Sequence, residues 1–218
     1  MPAPFCYAVS MGISRPKLER WHVIGMSGGL AFVLLLALAR LEAPVLDAID
    51  IPVSRFLEPF RSYAFIQFFL AITALGSGIG VTVVGIGVAF FLRKRVRIER
   101  RLAAAVLATA ACVELAKDFV ERQRPSPVQW ISPIHSYSFP SGHTAMATAL
   151  YGFLLIILYR QSRTAFGAAI GVLIPSLIIL GVALSRMALD VHYFTDVLGG
   201  FLLGLFWLTV VFVFPHKK

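Results

Sequence analysis

Residues 164–196 read TAFGAAIGVLIPSLIILGVALSRMALDVHYFTD. The first 22, Thr164 to Ser185, carry no charge, which is enough apolar helix to cross the roughly 30 Å core of a bilayer at about 1.5 Å per residue. The run ends in Ser185-Arg186, and Asp190, His192 and Asp196 follow at once. Ionisable groups at the mouth of a membrane span are expensive, and as a rule they are there for a purpose.

The remainder of the chain has the same character. Of 218 residues 58% are hydrophobic and only 14% charged, where a soluble domain carries about 25%. Mean hydropathy is +0.82. Besides Thr164–Ser185, five more apolar stretches are long enough to span: about Val23–Leu41, Ala64–Leu92, Leu102–Val120, Gly142–Tyr159 and Val197–Pro215. The expected fold is therefore all-α: one integral membrane domain, residues 1–218, built as a six-helix bundle. The glycines of the second stretch (Gly76, Gly78, Gly80, Gly85 and Gly87) are expected to let helices pack closely. The two cysteines, Cys6 and Cys112, are not expected to pair.

Charge orients the bundle. With six spans, 13 of the 20 Lys and Arg residues share one side, in the N-terminal arm, the 93–101 loop, Arg160, Arg163 and the Lys217-Lys218 tail. That side should be cytoplasmic, with both termini. The net charge of +9 thus reflects membrane orientation, and nucleic acid is not an expected partner. Ala37-Leu38-Ala39 resembles a signal-peptide cleavage site, but the run before it is long enough to span and is expected to be retained. The outer segment Glu42–Tyr63 is an amphipathic surface helix interrupted at Pro52, or a loop. Trp21, Trp130 and Trp207 suit interfacial belts, and His22 and His216 fall at inner edges.

This topology brings the unusual polar residues to one depth. Span three exits to the outside with Lys117 and, beyond it, Arg124-Pro125; span four begins there at Pro140-Ser141-Gly142-His143; span five exits with Arg186; span six begins with His192 and Asp196. Snorkelling anchors would account for the cations but not for two histidines and an aspartate beside them. Lys117 and Arg124 are seven apart and share a face if the helix continues. Ser141 is a plausible N-cap that leaves the amides of Gly142 and His143 facing outward as an anion site. Arg186 adds a fork for two phosphoryl oxygens. Asp196, one turn after His192, can accept from its imidazole, fix the tautomer and free the other nitrogen to attack.

The chemistry that fits is phosphoryl transfer. Lys117, Arg124, Arg186 and the turn amides of Gly142 and His143 hold the phosphate, and His192 attacks phosphorus. Asp196 orients His192, and His143 protonates the leaving oxygen and then activates water. The cations supply the neutralisation that a metal often supplies, so no metal or other cofactor is expected.

These three stretches match a family signature. Lys117 to Arg124-Pro125, Pro140 to His143, and Ser185-Arg186 to His192 to Asp196 resemble, in order and spacing, the type 2 phosphatidic acid phosphatase superfamily, over about residues 64–214. The resemblance implies a metal-independent phosphatase with a histidine nucleophile, six spans, and Ser141 and Gly142 on the phosphate. It also implies a lipid phosphate substrate among membrane lipids at the outer face of a bacterial inner membrane, with no obligate protein partner. Undecaprenyl pyrophosphate is the favoured lipid, with phosphatidylglycerophosphate or phosphatidate beside it. A lipid A phosphatase of the same family and a lipid phosphotransferase using the same phosphohistidine are the alternatives. Two positions depart from the family pattern: Asp190 stands where glycine is frequent and Phe194 where proline is.

Five residues near the motifs are read more plainly. Asp190 and Arg122 are expected to face water, Glu114 to pair with Lys117 or a polar neighbouring helix, and His135 and Tyr137 to pack within the outer loop.

Overall fold

A computed structural model of the chain describes residues 15–93, 95–125 and 136–213, with side chains from residue 23 onward. The described residues form helices and no strand: α1 (Arg15–Arg40), α2 (Pro44–Leu57), α3 (Tyr63–Thr73), α4 (Gly78–Leu92), α5 (Val96–Val120), α6 (Gly142–Gln161), α7 (Ala165–Ala188) and α8 (Phe194–Val213). Among the described residues four helical stretches are long and apolar enough to cross a membrane: Val23–Arg40 of α1, α6, α7 and α8. A fifth arises if α3, its 3-10 extension and α4 count as one span bent by 50°. Helix α5 covers the stretch expected as span three but holds Arg97, Glu99, Arg100 and Arg101 at one end and Glu114, Lys117 and Asp118 at the other.

The break in the second expected span has a local cause. Ser77 leaves the helix in an extended conformation (ψ 159°), and its Oγ accepts from the Gly80 amide at 3.0 Å, so a new helix starts there. Gly76 lies against Val182 and the backbone of His143, and Gly80 against the Ala74 carbonyl, which leaves no room for a Cβ at either. The close-packing expectation ends with those two. A Cβ at Gly78, Gly85 or Gly87 would meet nothing within 4 Å.

Helix α6 is the centre of the bundle, packed against α5, α7 and α8, with α1 laid along α8. Its Ala145, Ala147, Ala149, Leu150 and Phe153 are wholly inaccessible. Small residues set the α6–α8 distance: Gly200 abuts the Ser141 carbonyl, and Gly204 abuts the Ala145 carbonyl and Thr148. Large apolar side chains such as Met26, Leu30, Ile79, Phe91 and Phe166 face outward, as suits a bundle whose solvent is lipid.

Helix α2 corrects the reading of residues 42–63. Pro52 sits inside it and does not interrupt it. Pro44 occupies the first turn, where its missing N–H costs nothing. The apolar side of α2 turns Leu46 inward, and the same helix buries Asp50 to 1% exposure.

Candidate active site

The site forms where α5 ends, α6 and α8 begin and α7 ends. Helix α5 stops at Val120 because Glu121 adopts a left-handed conformation (φ 57°) and returns its amide to the Lys117 carbonyl. Lys117 and Arg124 therefore do not share one continuous helix face. Lys117 stays in the last turn of α5, buried, with Nζ 3.3 Å from Glu114 Oε1. The Glu114 carboxylate itself is 68% exposed.

Beyond the helix the chain crosses to the segment before α6. The Arg122 carbonyl accepts from the Ser138 amide at 2.8 Å. Arg124 clasps the same segment, donating Nε to the Ser136 carbonyl (3.0 Å) and Nη2 to the Tyr137 carbonyl (3.2 Å). Its Nη1 reaches across to the Val191 carbonyl (2.7 Å) and lies 3.2 Å from His192 Nε2. A phosphorus approaching Nε2 would have its oxygens within reach of this guanidinium.

Ser141 holds the N-cap position of α6, but its side chain does not cap; Oγ lies 3.1 Å from Thr144 Oγ1. Its amide donates to the Asp196 carbonyl at 2.9 Å, tying the turn to α8. Among the described residues no bond holds the amides of Gly142, His143 and Thr144, the usual orphans of a helix start. A Cβ on Gly142 would sit 3.9 Å from Lys117 Nζ, so the ammonium and the free amides serve one place. His143, one residue on, lies within electrostatic range of Arg186, His192, Lys117 and Arg124. Arg186, 3% exposed, donates Nη1 to Thr73 Oγ1 at 2.7 Å; its buried Nε has no partner among the described residues.

His192 sits in the tight connection between α7 and α8. Its amide donates to the Arg186 carbonyl at 3.2 Å, and its ring is buried. Asp196 Oδ2 is 3.5 Å from Nδ1, longer than a hydrogen bond, and Ser138 Oγ wedges between them, 2.5 Å from Oδ2 and 3.4 Å from Nδ1. The Tyr193 amide also donates to Oδ2, at 2.9 Å. Nδ1 is thus the nitrogen turned to the carboxylate and Nε2 the one turned to the cations. Burial foremost, with the charges of Arg186 and Arg124, pulls His192 down to about 4 against the influence of Asp196, so the ring is neutral with a lone pair available. Nitrogen-15 NMR of histidine-labelled protein, with the His192→Ala variant for assignment, should show this imidazole still neutral at about pH 5.5, where an ordinary histidine is mostly charged.

All eight site residues read from the sequence, Lys117, Arg124, Ser141, Gly142, His143, Arg186, His192 and Asp196, come together. Two water-facing assignments do not hold. Asp190 accepts from Arg61 Nη2 at 2.8 Å and from Ser54 Oγ at 3.2 Å. Its φ of 56° is left-handed, which accounts for a position where glycine is frequent; aspartate is among the residues that tolerate it. Arg122 is half-buried between Asp50 and Asp196, at 2.8 and 2.7 Å. Burial works against its charge, but the two carboxylates outweigh that and raise its pKa above the ordinary arginine value. Asp50, Ser138 and Thr73 belong to the same surroundings and carried no motif signal. Tyr137 lies in the loop before α6, with Oη 3.4 Å from Glu121 Oε1. Trp130, His135 and His216 lie outside the described residues.

Known proteins of similar sequence and fold bear on the family of this chain. The sequence profile of the PAP2 superfamily matches residues 99–218. Phosphatidylglycerophosphatase B of Bacillus subtilis is 34% identical over 105 residues, 48% of this chain; the match spans about half, 51%, of that relative's length. The crystal structure of a transmembrane PAP2-type phosphatidylglycerolphosphate phosphatase from Bacillus subtilis superposes with a TM-score of 0.74 at 26% identity, covering 86% of this chain and 93% of that one. Aquifex aeolicus LpxE shares the fold, with a TM-score of 0.61 at 24% identity over 76% of this chain and 95% of that one.

Proposed function

The chain belongs to the PAP2 superfamily, and on that premise we propose that it is a lipid phosphatase of a bacterial inner membrane, cleaving a lipid phosphate or pyrophosphate at the outer face through a phosphohistidine. One observation carries the reading: three cations, the orphan amides of α6 and two histidines surround a single point at the helix ends. His192 Nε2 attacks phosphorus in line, forming the N–P bond as the bond to the lipid oxygen breaks, and His143 protonates that oxygen. Water, deprotonated by His143, then displaces the histidine and releases inorganic phosphate. Lys117, Arg124, Arg186 and the amides of Gly142 and His143 hold the three equatorial oxygens. If α5 is counted as the third of six spans and both termini are cytoplasmic, this point faces the periplasm.

The lipid class has its own support. A cavity of about 450 Å³ between α6, α7 and α8 is lined by Thr148, Ile156, Ile179, Ala183, Phe194 and Leu205, among others. It extends from the site end of α8 towards the membrane interior, where an acyl or prenyl chain can lie while its headgroup is cleaved. Phe194 also borders a small recess beside His192.

The names of the Bacillus relatives make phosphatidylglycerophosphate the first lipid to assay, next to undecaprenyl pyrophosphate, phosphatidate and lipid A. Purified protein in EDTA is expected to release phosphate from at least one of the first two. Loss of release in EDTA would overturn the cation-only reading, and release from lipid A alone would move the substrate to that class.

A further inference from the structure

The polar network behind Asp196 runs into a helix that carries none of the three motifs. Asp50, in α2, has a fully buried side chain. Its Oδ1 accepts from the Thr195 amide at 2.9 Å; its Oδ2 accepts from Thr195 Oγ1 at 2.6 Å and from Arg122 Nη2 at 2.8 Å. Arg122 turns Nη1 to Asp196 Oδ1 at 2.7 Å and to Thr195 Oγ1 at 2.8 Å, and its guanidinium lies 4.3 Å from the centre of the Tyr193 ring. One planar fork thus bridges two buried carboxylates, and one of them faces His192.

The division of labour on Asp196 matters. Arg122 holds Oδ1, and this leaves Oδ2 to Ser138, the Tyr193 amide and the imidazole side. A carboxylate pinned at one oxygen cannot swing, so the direction of the other is set. A buried ion pair is weak support for a fold, since apolar residues of similar volume often serve as well. Stability alone therefore gives little reason to bring Asp50 from a distant helix to this place. The same region of the chain holds the histidine loop a second time: Arg61 donates to Asp190 and to the Ala188 carbonyl (3.2 Å), and Ser54 donates to Asp190.

We infer that Asp50 and Arg122 are positioning residues for the hydrolysis: acting through Asp196, they fix the ring of His192 for attack and make α2 a working part of the active site. The inference rests on His192 being the attacking residue. Neither Asp50 nor Arg122 touches the phosphoryl group, so their loss should lower turnover and leave phosphate binding alone.

The test uses the full-length protein in detergent, a water-soluble aryl phosphate as substrate and inorganic phosphate as competitive inhibitor, with activity normalised to folded protein by size-exclusion chromatography. Arg122→Gln is expected to lower kcat about 100-fold, the scale of a displacement of about 1 Å in a reacting group, with KM and phosphate inhibition unchanged. Arg122→Lys, which keeps the charge but not the fork, should recover part of kcat. Because each single change leaves a buried charge unpaired, the double variant Asp50→Asn with Arg122→Gln removes both charges and keeps amide hydrogen bonding; it should fold and still show the kcat loss. A double variant with wild-type kcat, or a loss confined to KM, overturns the inference. His192→Ala runs alongside. If it retains wild-type activity, the nucleophile assignment fails and the positioning role fails with it. If it is inactive while the double variant has wild-type kcat, the positioning role alone fails.

Discussion

His192→Ala is expected to abolish hydrolysis, with a fall in kcat of about 10⁴- to 10⁶-fold, the range seen when a covalent nucleophile is removed. No neighbour can substitute. Lys117, Arg124 and Arg186 are cations without a lone pair to offer, Asp196 is enclosed by Arg122, Ser138 and the Tyr193 amide, and His143 stands on α6, a different element from the α7–α8 connection that holds His192. The fold should survive, because the ring makes only loose side-chain contacts, at 3.2 to 3.5 Å, and its backbone bond to Arg186 remains. The partner experiment separates nucleophile from acid–base. His143→Ala with an aryl phosphate, whose leaving oxygen needs no proton, should complete the first half-reaction and stall in the second. Acid-labile phosphate bound to protein would then accumulate in His143→Ala and be absent from His192→Ala. Accumulation in neither, with wild-type turnover in His192→Ala, would show that water attacks the substrate directly.

The convergence of the site residues was legible in the sequence because membrane makes it so. Lys117, Arg186 and Asp196 stand out where apolar residues are otherwise continuous, and the alternation of spans puts them at one depth. Residues brought in by tertiary contact were not legible. Asp50 and Arg122 are 72 positions apart, and each has an ordinary sequence neighbourhood; Asp47 and Arg124 nearby look equally suited to partners. Local backbone events also escaped notice. The left-handed Glu121 ends α5 without a glycine to announce it, and Ser77, between Gly76 and Gly78, splits a run that carries no charge. Pro52 misled in the opposite direction, sitting in a helix that packing against α8 sustains. Asp190 shows both sides: its departure from the family pattern was visible, while its backbone angle and its bond to Arg61 were not.

Arg186 sets function against stability. The residue is 3% exposed, and its guanidinium stands among Lys117, Arg124 and two histidines and has an Nε with no partner among the described residues. Thr73 supplies a hydrogen bond at 2.7 Å but no charge. A buried cation held this way costs stability unless an anion completes it, and a phosphoryl group with two oxygens to share is the anion that fits a planar fork. Arg186→Met should therefore lower kcat by about 10³-fold, the upper end for loss of one transition-state donor. It should also melt higher than the wild type in buffer without phosphate, by an amount consistent with relieving one buried unsatisfied donor, roughly 1–3 kcal/mol. Inorganic phosphate should raise the melting temperature of the wild type by mass action and leave that of Arg186→Met nearly unmoved. Arg186→Lys divides the two effects: it keeps a buried positive charge, so the stability gain should vanish, and it loses the fork, so most of the activity should stay lost. A variant Arg186→Met that melts lower than wild type and still gains from phosphate would mean that this arginine holds the bundle together, with the anion resting on Lys117, Arg124 and the α6 amides alone.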